Sequence, residues 1–218
     1  MMDARLPLFP LQVVLLPGEL LPLHIFEERY KLMIGRCLEQ QSPFGVVLIR
    51  SGEEVGGPAQ PYDVGATARI TQVERLPDGK LNLVARGERR FRILALDTTE
   101  PYLQGDVEFL ESEDVDAPGV SDASARVAAL FGDQQRLVLA ISGQWSRQLD
   151  LPTDPDALAD FVAGSAELPQ EDQQALLETL SLPARLSRLA VLLGVRVRAL
   201  NDMWEEKRRT KFAGERLN

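Results

Sequence analysis

Side chains able to do covalent or acid-base chemistry are scarce in this sequence. It holds one histidine, His24, one cysteine, Cys37, and four lysines, Lys31, Lys80, Lys207 and Lys211. A Ser-His-Asp or Cys-His catalyst needs an imidazole beside its nucleophile. His24 instead stands between Leu23 and Ile25-Phe26, the setting of a partly buried histidine bonded to backbone. A Ser-Lys dyad needs a lysine desolvated enough to act as a base. Lys31 falls on the polar side of a helix, Lys80 follows a turn glycine, and Lys207 and Lys211 lie in a charged tail. One imidazole and one thiol do not supply the three or four ligands of a zinc site, and a lone cysteine makes neither a disulfide framework nor a two-cysteine redox motif. Neither a Gly-x-x-x-x-Gly-Lys-[Ser/Thr] phosphate loop nor a Gly-x-Gly-x-x-Gly fingerprint occurs, and the glycine-rich "EEVGGPAQP" from Glu53 lacks both lysine and helix start. The expectation is a protein without catalytic residues, metal or cofactor, and so not an enzyme.

What the residues offer instead is surface and core. With 218 residues and 44% hydrophobic content the chain can bury a substantial core, and two domains divide it best. Its formal charge of −9, from 24 basic against 33 acidic side chains, gives no global attraction to nucleic acid or anionic membranes. The apolar stretch "VVLLPGELLPLHIFEERY" at 13–30 is broken by Pro17, Gly18 and Pro22 and runs into Glu27, Glu28 and Arg29. That is neither a signal peptide nor a membrane span, and with Cys37 alone a reducing cytoplasm is the expected compartment.

The elements that must position any site fall into two halves. Leu11–Leu16 reads as a strand ending at Pro17-Gly18, with Leu20–Ile25 pairing after it. Over 26–40, Phe26, Tyr30, Met33, Ile34, Cys37 and Leu38 recur at helical spacing, with Glu27 four residues before Lys31. Then "FGVVLIRSG" reads as a buried strand, and the run 64–96 as a long hairpin turned at Pro77-Asp78-Gly79, with Gly87 marking a bulge or bend. Arg90 and Arg92 alternate with Phe91 and Ile93, which predicts guanidinium groups on the wet face. After a last strand, "YLQGDVEFLE", the composition turns acidic and reads as a linker over 113–124. Beyond it come helices from Ala125, from Asp154-Pro155 (a cap and first-turn proline), over 170–180, and from Pro183 to about Arg209. On the last, Leu186, Ala190, Leu193, Val197, Leu200 and Trp204 form a coiled-coil-like seam that suits packing within one chain or a homodimer.

These residues form a recognisable pattern. "LPLFPLQVVLLPGELLPLHIFEERY", then "VGATARI" and "LPDGKLNLVARGERRFRI", resemble the N-terminal domain of the Lon ATP-dependent proteases, and "LPQEDQQALLETLSLPARLSRLAVLL" is similar to the helix pair that follows its barrel. The resemblance covers about residues 5–210. It implies an α+β architecture: a PUA-like β-barrel over 1–112 with one helix at 26–40, the linker at 113–124, and an α-helical bundle over 125–218 ending in a long helix. The sequence stops at Asn218 without the ATPase and Ser-Lys peptidase modules of such a protease, so it resembles a free-standing substrate-binding domain, a bacterial type, and a peptidase label would express kinship.

Function then turns on surface. The Pro-Gly break is expected to turn the first strand back so that the helix caps the barrel, with Phe26, Tyr30 and Met33 in the core. Pro17, Leu20, Leu21 and His24 are the candidate contacts for unfolded or hydrophobic polypeptide segments, in concert with a protease or chaperone in protein quality control. Because PUA-like barrels include RNA readers, Arg86, Arg89, Arg90 and Arg92 are the alternative site, opposed by the net charge. A hydrolase with an unrecognised site is the third possibility.

Overall fold

The computed structural model describes residues 3–52, 59–144 and 150–215. Glu53 to Pro58 of the glycine-rich stretch therefore lie outside the described residues, as does the Lys211 side chain. The chain divides into two compact units, Met1–Ser112 with Pro169–Leu180, and Glu113–Leu168 with Ser181–Asn218.

In the first unit the strands are β1 (Ala4–Leu11), β2 (Leu20–Ile25), β3 (Phe44–Gly52), β4 (Ala59–Pro61), β5 (Val64–Arg75), β6 (Leu81–Asp97) and β7 (Gln104–Leu110). Five of them close into a barrel: β1-β7-β6-β5-β3 pair in that order, and β3 returns to pair parallel with β1. Closure removes the edges of these five strands where they pair within the barrel. The interior is filled by Leu6, Leu8, Val47, Phe91 and Val107, contributed by alternating positions of four strands. The hairpin β5/β6 follows its turn chemistry, Gly79 lying at φ +77° with its N–H donating to the Leu76 carbonyl at 3.0 Å. Helix α1 (Glu28–Gln40) buries Tyr30, Met33, Ile34 and Cys37, and Tyr30 stacks on Phe9 of β1 at 4.0 Å. Phe26 is not core: the helix starts two residues after it, which leaves the ring 46% exposed. Glu27 pairs with Arg29, and Lys31 with Glu28, in place of the expected Glu27–Lys31 contact.

Two strand assignments differ from the sequence reading. The first strand is Ala4–Leu11 rather than Leu11–Leu16, whose buried Val14, Leu15 and Leu16 lie outside any strand. Prolines 7 and 10 disguise the true strand, since proline in a run ordinarily argues against one. The strand β2 pairs antiparallel with β6, not with its sequence neighbour. Helix α4 (Gln170–Glu178) groups with the barrel, where Gln174 donates to the Val64 carbonyl at 3.0 Å and Gln170 to that of Gln12.

The second unit contains α2 (Val120–Ser142), α3 (Pro155–Ser165) and α5 (Leu182–Glu215). Helix α2 begins five residues earlier than expected, and the segment before it is tied in: the Glu113 carbonyl accepts from Leu182 N at 2.9 Å and the Asp114 carboxylate from the Ser181 hydroxyl at 3.0 Å. Asp154 caps α3 by accepting from Ala157 N at 2.8 Å, with Pro155 in the first turn. Along α5, Leu186 and Leu193 of the seam are fully buried while Ala190, Val197, Leu200 and Trp204 are half-buried, and the helix packs along α2. Lys207 donates to the Ile141 carbonyl near the end of α2, so it complements that helix's dipole rather than its own. No described helix is long and apolar enough to cross a membrane.

Candidate functional site

Strand β2 extends the barrel sheet beyond its closure. Residues 81–86 of β6 lie between β2 and the outer part of β5, so these three strands form an apron in which β2 is an edge. The edge is anchored by a turn. Pro17-Gly18, with Gly18 at φ +85°, forms a type II turn closed by Glu19 N–H donating to the Leu16 carbonyl at 3.2 Å, a geometry that needs glycine at the third position. The turn is fixed to β6 by Gly18 N–H on the Gly87 carbonyl (2.8 Å) and Gly87 N–H on the Glu19 carbonyl (2.9 Å). Pro22, which has no amide hydrogen, sits on the strand class that tolerates it.

A trough of about 510 Å³ crosses the apron. One wall is the register row Pro22–Val84–Gln72 and the other the row His24–Asn82–Glu74. Side chains alternate faces along a strand, so these rows share a face and lie about 6.7 Å apart. The row between them, Leu23–Leu83–Val73, points to the opposite face and supplies backbone to the floor. The first wall is largely apolar. The second is a hydrogen-bonded chain: Asn82 Nδ2 donates to a Glu74 carboxylate oxygen at 3.2 Å, and His24 Nδ1 lies 2.8 Å from Asn82 Oδ1. A carboxylate can only accept, so Asn82 turns its amide nitrogen to Glu74 and its oxygen to His24. That oxygen requires a proton on Nδ1, which leaves Nε2 of the neutral ring as an acceptor.

The predicted polypeptide contacts fall on this edge. Leu20 is 52% exposed, Pro17 and Leu21 are half-buried, and His24 is exposed and bonded to a side chain rather than partly buried against backbone. The missed members, Glu74 and Asn82, belong to a hairpin whose register no local spacing announces. The four arginines do not form one wet face. Arg90 keeps the face of Arg92 but is only 4% exposed, because α4 lies over it and its guanidinium donates to the Leu177 carbonyl of that helix at 3.1 Å. Arg89 is bound to Glu111 and lies over the Phe109 ring, and Arg92 is bound to Glu108; Arg86 is exposed beside Leu20.

Glu19 adds a pH dependence to the turn. Its carboxylate accepts from Leu16 N–H at 3.1 Å, but burial outweighs that bond and raises its pKa above the ordinary glutamate value. The folded state thus holds this proton more tightly than the unfolded chain, so its contribution is fully present at low pH and falls as pH rises from the ordinary value through the raised one. Glu19→Gln keeps an acceptor for Leu16 and removes the charge. It is expected to raise the urea midpoint at pH 7, with the gain shrinking at pH 4; an unchanged or lower midpoint at pH 7 would refute the assignment.

The fold is similar to that of solved Lon N-terminal domains. A Lon N-terminal domain protein from Xanthomonas campestris is 28% identical with a TM-score of 0.63, covering 86% of this chain and 98% of that one. The N-terminal domain of a Mycobacterium avium complex Lon protease, 22% identical with a TM-score of 0.65, covers 88% and 98% and supports the fold alone. Residues 5–194 match the family model described as the ATP-dependent protease La (LON) substrate-binding domain, and the chain belongs to that family. Among curated relatives, Lon protease of Anaeromyxobacter dehalogenans is 31% identical over 193 residues and Lon protease 2 of Myxococcus xanthus 30% over 196. The alignments take in 87% and 86% of this chain but 23% of each relative, so the chain spans about a quarter of their length.

Proposed function

We propose that this chain is a non-enzymatic polypeptide-binding module that takes unfolded or hydrophobic segments along the β2 edge, within cytoplasmic protein quality control or proteolysis. The observation that carries it is the open edge strand with the 52% exposed Leu20 beside a half-apolar trough. An edge offers main-chain hydrogen bonds for affinity and adjoining pockets for choice. The family's description as a substrate-binding domain supports the assignment. Because α5 packs its seam along α2, we take the binding unit to be one chain, presenting segments to a separate protease or chaperone. The pairing of Arg89 and Arg92 with carboxylates favours polypeptide over RNA.

The test is fluorescence anisotropy of a labelled, permanently unfolded polypeptide titrated with this protein in the absence of ATP, with its folded counterpart as control. Saturable binding to the unfolded form alone is expected. Leu20→Ser is expected to weaken it about five-fold, the effect of losing roughly half a leucine's burial. Binding unchanged by Leu20→Ser would move the surface elsewhere, and no binding at high micromolar protein would reject the function.

A further inference from the structure

Resting on that assignment, we infer that the trough selects a basic side chain, arginine or lysine, within the bound segment. The two walls differ in the way such a side chain needs. Pro22 and Val84 offer apolar surface on one side, against which an aliphatic stem of three or four methylenes can lie. The facing wall carries acceptors: the Glu74 carboxylate and the Nε2 of His24, whose orientation the Asn82 bridge sets. Glu74 is exposed, and among the described residues no cation pairs with it. Lys80, on the same hairpin, is committed to Asp78 at 2.6 Å. Glu74 and His24 therefore offer negative charge and a lone pair to a donor that the described residues do not supply. A guanidinium or an ammonium pairs with Glu74, whereas a carboxylate in the same place meets it as a like charge. Because the trough runs across the strands, a segment laid on the β2 edge can send one long side chain over β2 toward the Asn82–Glu74 row.

The experiment uses two labelled, extended peptides of otherwise neutral, partly aliphatic sequence, one with a central arginine and the other with citrulline, which keeps the shape and removes the charge. Anisotropy titrations are run on the parent chain and on Glu74→Gln, whose fold is checked by circular dichroism. The parent is expected to bind the arginine peptide roughly five-fold tighter, the upper range of an exposed ion pair, and less so in high salt. In Glu74→Gln the preference disappears while citrulline-peptide affinity stays put. Equal binding of both peptides by the parent, or a preference that survives Glu74→Gln, overturns the inference while leaving polypeptide binding intact. If neither these peptides nor the unfolded polypeptide binds, the function itself fails and the inference with it.

Discussion

Arg185→Ala is expected to destabilise the second unit by about 3–5 kcal/mol, the range for breaking a buried ion pair from one side. Arg185 is fully buried, and its guanidinium reaches Asp160 at 2.8 Å and also binds Asp156. The two carboxylates stand four residues apart on α3, one turn of helix, so both face α5. Asp156 keeps a third of its side chain in solvent and can rehydrate, but Asp160 is 5% exposed and would lose the guanidinium with little access to water. The cost therefore comes chiefly from Asp160, which dictates the control. Arg185→Met with Asp160→Leu removes both charges for apolar groups of similar length and is expected to recover most of the loss, because a buried pair replaced together is often neutral. Urea unfolding followed by circular dichroism of the parent, Arg185→Met, Asp160→Leu and the double variant closes the cycle. If the double variant were as unstable as the sum of the singles, the two residues would not be coupled and packing alone would explain the loss.

That cluster also shows where sequence reading reached and where it stopped. Arg185 interrupts the apolar positions Leu182, Leu186, Leu189 and Leu193 of one helix, while Asp156 and Asp160 repeat at helical spacing on another. A charge on an apolar stripe with two opposite charges in register nearby was the available signal, and it is a local one. Other local signals correspond to the structure: Pro77-Asp78-Gly79 turns the hairpin, Asp154 caps α3, and the stripe Tyr30, Met33, Ile34 and Cys37 is the buried face of α1. Long-range relations carry no such signal. Nothing within β2 tells that its partner is β6, about 60 residues on, and the burial of Arg90 depends on the Leu177 carbonyl 87 residues away. The His24–Asn82–Glu74 row is assembled from three strands, and its register passes through a shift between Ile70 and Gln72 that no spacing in the sequence reveals.

Gly87→Ala is expected to cost the barrel about 1–3 kcal/mol from overpacking alone and to weaken polypeptide binding in the molecules that remain folded. A methyl group at Gly87 would lie 2.2 Å from the Leu16 carbonyl oxygen and 3.1 Å from Leu15 Cγ. The oxygen belongs to backbone, and it already accepts the N–H that closes the Pro17-Gly18 turn. It cannot swing aside without opening that turn and drawing out Leu15 and Leu16, which are 2% and 0% exposed. Moving the turn also strains the two hydrogen bonds between Gly87 and residues 18 and 19, each worth about 1 kcal/mol. Since those bonds hold the start of β2 to β6, the edge carrying Leu20 shifts with them, and affinity falls along with stability. The matched control is Gly35→Ala in α1, where nothing lies within 4 Å of the added carbon. There alanine's better helix propensity predicts a gain of about 0.5–1 kcal/mol and no change in binding. Opposite signs in the thermal midpoints, with anisotropy affected in Gly87→Ala alone, are the expected result. A Gly87→Ala protein as stable as the parent would mean that the turn is not seated on β6 as described, and with it the anchored edge on which the binding surface depends would be lost.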